Sequence, residues 1–504
     1  MKLVTIATTC LAISVATGPA VVSASSADTS NLGVEEPFLS FPPAFASTNQ
    51  SPSNWFRQPA VSTFAAATPF TSVNTPYTDE ITALARKGIS PARAARAIRV
   101  QGRVAQRGIV EKIEAATGAS YGGAWFEPTD ARLRIGVTSP ASRRAADEVI
   151  AREGLTDDVT LTPVRSTWTQ LQGAQKLWNQ RLANLLAHEQ VMTSLSAEHN
   201  AIYVTLSSSV PAPERTALKQ EASTANVNVI VTLIPGRLGI VAADNHTECK
   251  RFAEKEAFCN KPITSGVSIG ASNEEINYEC TAGPLAIPRA NVSATYLLTA
   301  GHCIRAAGGE NITWYSWYKG GLTEEHPIGK AKAFEFGLLG DYGEIPVEEA
   351  AWKEAGNEPV YAVTAEWKAD NERSYSVIRE GRSAEKTTVC HDGQVTGGTC
   401  GESLRTGLTA RVEGTNVEGL VEVEAPTLKC QKGDSGGPFF FAESNLEVIM
   451  EGIAVGVSPT DEHLCFYEPI HTALEELNLE LLTKNNENRL RDKEEKEKEE
   501  KPCK

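Results

Sequence analysis

The sequence predicts an α/β region followed by an all-β domain of sandwich or barrel type. Three observations carry this reading. From about Cys249 the chain is glycine-rich and breaks into short strand-like runs, among them "YLLTAGHC", "EPVYAVTAEW", "GLVEVEA", "PFFFA" and "LEVIMEGIAVGV". Many short strands with frequent turns and few helical stretches are the pattern of a sandwich or barrel. Before that point, apolar residues recur at helical spacing and alternate with strand-like runs. The cysteines divide the chain in the same place: of ten, eight lie between Cys249 and Cys465, and none between Ser25 and His246.

Taken in order, residues 1–24 read as a secretory signal. Lys2 precedes the apolar run "LVTIATTCLAISVATGPAVV", and Val22-Ser23-Ala24 offers small residues for cleavage. Gly18-Pro19 breaks that run, and no later stretch approaches the roughly 20 apolar residues of a membrane helix. Export is therefore expected, with no membrane partner. Residues 25–77, rich in Ser, Thr, Pro and Ala, lack the apolar content to offset their ordering entropy and read as a disordered leader.

Residues 78–246 form the α/β region. Its first stretch places Arg93, Arg96, Arg99, Arg103 and Arg107 between apolar positions, a solvated helix face rather than a docking row. "YGGAWFEPTDARLRIGVTS" reads as a hairpin turning at Pro-Thr-Asp. Helices follow around Ser142–Glu153 and Gln170–Leu186, then strands at "NAIYVTL" and "VNVIVTL". Residues 247–484 carry the β-rich domain and end in a helix over Pro469–Thr483. Residues 485–504 are a charge-dense tail without an apolar face. The chain has 504 residues and a net charge of −15, an acidic balance that speaks against a nucleic-acid partner.

In an exported chain, the even set Cys249, Cys259, Cys280, Cys303, Cys390, Cys400, Cys430 and Cys465 reads as disulfides. A zinc site would compete, but there is no C-x-x-C pair. No metal or other cofactor is expected. His302, where the apolar run "YLLTAGHCI" ends, is a packed filler, half of a metal site or a catalytic base.

A second motif, "CQKGDSGGPFFF", discriminates among these. A serine hydroxyl needs a nearby base and an exposed turn to act as a nucleophile. Gly433, Gly436 and Gly437 leave main-chain N–H groups around Ser435 open toward a developing oxyanion. For an aspartate to orient the base, Asp341 in "GLLGDYGEIPV" fits best. It follows His302 by 39 residues and lies between apolar runs, whereas Asp370 sits in the polar "KADNERSY".

With "LLTAGHC" and "GDSGGP" in hand, the chain resembles the chymotrypsin-like serine proteases. It is most similar to their secreted bacterial branch of streptogrisins and alpha-lytic protease, from roughly Cys249 to Leu482. "VCHDGQVTGGTCG" resembles that branch's short disulfide loop, and "CFYEPIHTALEELNLEL" its last strand and closing helix. The resemblance implies a double β-barrel with a C-terminal helix, preceded by an α/β pro-region, since "YGGAWFEPTDARLRIGVT" looks like the branch's pro-region hairpin. It implies a secreted serine endopeptidase acting on polypeptides as a monomer, through an acyl-enzyme, with an inhibitory and folding-assisting propeptide.

His302 would be general base, Asp341 its orienter, Ser435 the nucleophile, and the Gly433 and Ser435 amides the oxyanion hole. The pairs Cys280–Cys303, Cys390–Cys400 and Cys430–Cys465 would follow, leaving Cys249 with Cys259. Three positions depart from the branch: His391 stands where arginine is common, Ala454 or Val455 where the substrate strand carries serine, and Lys432 at the pocket mouth. Lys432, Ala454 and Val455 are the candidate specificity residues. His391 is expected to pair with Asp434. A catalytically inactive protease-like binding protein is the alternative reading, and the N-terminal half is alternatively a retained binding domain.

Overall fold

The computed structural model describes residues 78–241 and 264–486, apart from 273–276, 291–293, 319–320, 349–361, 369–370, 383, 425–429 and 444–446. The expected signal, leader and Cys249–Cys259 pair, and the tail beyond 486, lie outside the described residues.

The N-terminal region is two units of one arrangement: a hairpin, a helix, and a third strand parallel to the hairpin's second. In the first unit, Tyr121–Glu127 pairs antiparallel with Arg132–Val137, and Val159–Pro163 adds in parallel. The helix between them, Pro140–Glu153, starts at Ser139, whose hydroxyl accepts from the Ser142 amide while the Ser142 hydroxyl accepts from the Ser139 amide. In the second unit, Val191–Ser196 pairs with Ala201–Ser207, and Asn228–Ile234 lies parallel beyond the helix Ala212–Ser223.

Helices Thr78–Arg86, Pro91–Gln106 and Ile109–Thr117 precede the first unit. Ile98, Ile113, Phe126, Leu133 and Ile135 form a core that also takes in Phe441 and Ile449 from the β-rich domain. The five arginines of the row are exposed, as their spacing predicts, although Arg103 grips Asp158 through two hydrogen bonds of 2.7 and 2.9 Å. The helix expected over Gln170–Leu186 is two pieces, Trp168–Arg181 and Ala183–Ala187, broken at Leu182.

The β-rich domain is a double β-barrel. In the first barrel, one sheet runs in the order Ala333–Gly337, Gly340–Pro346, Tyr296–Thr299, Leu285–Pro288, Leu479–Leu481. A second sheet, built on Ser268–Ser272, Asn277–Thr281 and Thr313–Tyr318, shares its core of Ile269, Leu297, Trp314, Ile328 and Ile345. The second barrel is made by Thr388–Gly393, Gly397–Val412, Thr415–Glu424, Pro438–Ala442, Glu447–Val457 and Leu464–Pro469. Val389, Val421, Phe439 and Tyr467 fill it.

The closing helix is shorter than expected, Ile470–Glu476 in place of Pro469–Thr483. Asn478 takes φ +54°, a left-handed conformation that stops the helix, and the chain then continues as strand Leu479–Leu481 against Leu285–Pro288. Leu479 and Leu481 are both buried there, so a period of two replaces the helical one.

One sheet runs through both halves of the chain. Gly397–Val412 extends past the barrel, and its Thr406 and Thr409 pair with Leu195 and Thr193. Gln175 Nε2 donates to the Gly407 carbonyl at 2.6 Å, and Asn179 Nδ2 to Thr409 Oγ1 at 2.9 Å. Nearby, Gln101 exchanges two hydrogen bonds with the Thr388 backbone, at 2.8 and 2.9 Å. The carboxylate of buried Glu385 accepts from the Ala197 and Glu198 amides and the Ser196 hydroxyl, capping the hairpin turn.

Candidate active site

His302 is delivered by the fully buried strand Tyr296–Thr299 into the first turn of the short helix Gly301–Ala307. The turn is tight: a Cβ on Gly301 would collide with the Glu335 carbonyl oxygen, so only glycine lets the two backbones approach. Asp341 comes from the neighbouring strand Gly340–Pro346, whose Gly343 is paired with Thr299. Its carboxylate is wholly buried and meets His302 twice. Oδ1 accepts the His302 backbone N–H at 2.7 Å, and Oδ2 lies 2.6 Å from Nδ1. With Asp341 ionised, Nδ1 carries the proton and Nε2 keeps its lone pair.

Ser435 lies at the start of the second barrel's glycine turn, where Gly433 has φ +100°, a conformation a side chain would strain. Among the described residues, the Gly433 and Ser435 amides have no hydrogen-bond acceptor. By contrast, the Asp434, Gly436 and Gly437 amides donate to the Gln431, Ala454 and Asp434 carbonyls. The turn is braced by Thr281, whose hydroxyl donates to the Gly433 carbonyl at 2.8 Å and whose amide donates to the Ser435 carbonyl at 2.8 Å. Sequence inspection had no cue for Thr281 beyond its place beside Cys280.

His302 and Ser435 come from different barrels and share one neighbour. The Cys303 sulfur is 3.7 Å from His302 Nε2 and 3.9 Å from the Ser435 carbonyl oxygen. That sulfur is bridged to Cys280. Cys280, His302 and Cys303 offer donor atoms within 4.8 Å of one another, but the bridged sulfurs are not thiolates available to a metal. In this arrangement the Ser435 hydroxyl donates to the Val455 carbonyl at 3.2 Å, not to His302.

The bridges Cys390–Cys400 and Cys430–Cys465 complete the disulfides among the described residues. Closing a 23-residue separation, Cys280–Cys303 is expected to contribute about 3 kcal/mol. Replacing both cysteines with serine should lower the denaturation free energy by that amount in a urea titration.

Asp434 points away from the reactive side of the turn. Its carboxylate accepts from the Val395, Thr396 and Gln431 amides and the Thr396 hydroxyl, at 2.8–3.2 Å. The expected His391–Asp434 contact is long, with Nε2 to Oδ2 at 3.8 Å. The imidazole is held through Nδ1 at 3.3 Å from the Pro438 carbonyl and by stacking on Phe439 at 4.8 Å. Hydrogen bonds to Asp434 come from the loop amides, with His391 beside them at ion-pair distance. Asp392 beside them is fully buried without a hydrogen-bond partner among the described residues, and burial followed by the Asp434 charge pushes its carboxyl well up.

Of the three candidate specificity residues, Lys432 is half-buried. Ala454 packs in the second barrel's core with Phe439 and Tyr467, while Val455 belongs to a cluster with Leu238, Ile240 and Phe466. The Val455 backbone therefore faces Ser435 while its side chain serves packing. Beyond it, Val457 exchanges two backbone hydrogen bonds with Val241, at 2.9 and 3.1 Å. The strand Gly239–Ile240 just before pairs with Arg411 and Val412. The end of the N-terminal region thus lies antiparallel along the edge that leads to Ser435.

With this geometry in place, solved structures offer a comparison. Thermobifida fusca Protease A is 22% identical at TM-score 0.33, Nocardiopsis Protease 20% at 0.34, and the alpha-lytic protease homolog N4 20% at 0.33. Each match covers 44% of this chain and 98–99% of the other. The chain is similar to bacterial chymotrypsin-like serine proteases. No family model matches it, and no curated protein does.

Proposed function

We infer that the chain is the precursor of a secreted serine endopeptidase. The observation that carries this is the double hold of buried Asp341 on His302, together with a glycine turn that carries Ser435 and two amides without an acceptor among the described residues. Asp341 keeps the imidazole in the tautomer whose Nε2 accepts a proton. Rotation of the Ser435 hydroxyl from the Val455 carbonyl to Nε2 would then let His302 take that proton as Oγ attacks a peptide carbonyl. The Gly433 and Ser435 amides would donate to the tetrahedral oxyanion, each contributing on the order of 3 to 4 kcal/mol. His302 would next protonate the leaving amine, and water would release the acyl group from Ser435.

The N-terminal region reads as the propeptide. Val241 pairs antiparallel with the Val457 edge, as an extended peptide adds to a free strand edge, and the shared sheet holds the region in place. An all-β domain with non-local pairing folds slowly, so a docked template also has a physical use. Secretion is supported by the apolar start of the chain and by three disulfides among the described residues. Of the specificity candidates Lys432, Ala454 and Val455, Lys432 would act through its side chain and Val455 through its main chain beside Ser435.

A fluorophosphonate probe tests the reading. We expect it to label Ser435 of the secreted chain and to leave Ser435→Ala unlabelled. N-terminal sequencing of the active form should begin beyond Val241 and no later than Gly266, whereas a start near Ser25 would sink the propeptide. The Ser435 hydroxyl on the Val455 carbonyl favours a second reading, an inactive protease-like binding protein. Absence of labelling in correctly folded material would select it.

A further inference from the structure

Behind Asp341 lies a second carboxyl group that the proposed chemistry does not use. Glu468, on strand Leu464–Pro469 of the second barrel, is fully buried. Its Oε2 accepts the Asp341 backbone N–H at 3.1 Å, and its Oε1 has no hydrogen-bond partner among the described residues. Strand Gly340–Pro346 belongs to the first barrel, so this hydrogen bond ties the two barrels together at the residue that holds His302.

Two adjacent carboxyls in a dry interior cannot both carry charge. Asp341 has the stronger claim to the charge, because two N–H donors from His302 converge on its oxygens. Glu468 has one backbone donor and no cation among the described residues, and burial followed by the Asp341 charge pushes its carboxyl well up. Tyr342, on the same strand, faces this field together with Glu335 and Glu476, none of them a cation.

We propose that Glu468 is a positioning residue: an uncharged carboxyl that fixes the Asp341 backbone so that Asp341 alone presents negative charge to His302. This deepens the triad reading and rests on it for its kinetic consequence. Glutamine at 468 keeps a carbonyl oxygen for the Asp341 amide and never ionises. Leucine leaves that amide buried and unpaired.

The test compares wild type, Glu468→Gln and Glu468→Leu in the full chain and its processed form. The low-field proton resonance of His302 Nδ1 and the imidazole titration are followed by NMR alongside kcat and KM. Glu468→Gln is expected to keep the His302 titration and the acid limb of the pH–rate profile at their wild-type positions, with kcat within about threefold. Glu468→Leu is expected to lower kcat on the order of 10- to 100-fold with KM little changed, and to shift or broaden the Nδ1 proton.

If Glu468 were ionised in the wild type, Glu468→Gln would move the His302 titration down by about one pH unit, and that result would overturn the proposal. Equal losses in both variants, or none in Glu468→Leu, would overturn it as well. The resonance needs no turnover, so Glu468 is judged even if Ser435 fails to label. In that case the protease reading falls separately.

Discussion

Replacing Asp341 with asparagine is expected to lower kcat/KM about ten-thousand-fold at neutral pH while the chain still folds. The asparagine carbonyl can keep accepting the His302 backbone N–H, which Asp341 Oδ1 now accepts at 2.7 Å. Its amide would face Nδ1, where Oδ2 stands at 2.6 Å, and would donate rather than accept. The imidazole would respond by moving its proton to Nε2, the atom that must take the Ser435 proton. Geometry would survive and chemistry would not. Steady-state kinetics on a peptide substrate, with a thermal melt as the folding control, measure both. A loss below tenfold with folding intact would remove Asp341 from the proposed triad.

The second large effect is expected at the seam between the N-terminal region and the barrels. Glu385 is buried where it caps the Ser196–Glu198 turn, and burial pushes its carboxyl up to about 8 despite the Ala197, Glu198 and Ser196 donors. Glu198 adds like charge there, although its carboxylate is paired with Lys386 at 2.6 Å. Arg405 is near and is committed to Glu422 at 2.7 Å.

The sign follows from the raised value. The docked form holds the Glu385 proton more tightly than an undocked form, whose carboxyl would sit at its ordinary value of 4.5. The proton therefore stabilises docking fully below that value, and the contribution fades as pH rises toward about 8. Once the chain is cut beyond Val241, the N-terminal region is expected to dissociate on the order of 100-fold more readily at pH 9 than at pH 5. Glu385→Gln should flatten the dependence. Binding measured across that range checks it, and a pH-independent affinity in the unsubstituted chain would refute the assignment.

Much of the molecule can be read from its residues, for reasons that differ by region. The hairpin at Tyr121–Val137 announces itself because alternation and a Pro-Thr-Asp turn are local signals. The site's components are readable because each sits in a short string whose chemistry is local, such as a histidine at a strand end or a serine in a glycine turn. The closing helix misleads because "NLELL" satisfies both a helical and a strand period. Only the vacant place beside Leu285–Pro288 chooses between them. His391 is legible only in part: its pairing with Asp434 is visible in the sequence, whereas the loop amides that also serve Asp434 are not.

By itself the sequence determined the fold class, the disulfide-bearing half, and the residues that could act as base, orienter and nucleophile. All of these depend on residue type and short spacing. The tertiary structure decided what depends on distance between remote segments. It set Glu468 against the Asp341 amide, turned the Ser435 hydroxyl to Val455, packed the Val455 side chain among Leu238, Ile240 and Phe466, and laid Val241 along Val457. The physical reason is that burial and hydrogen-bond partners belong to the packed chain. A carboxyl such as Glu468 acquires its character only when two barrels close over it.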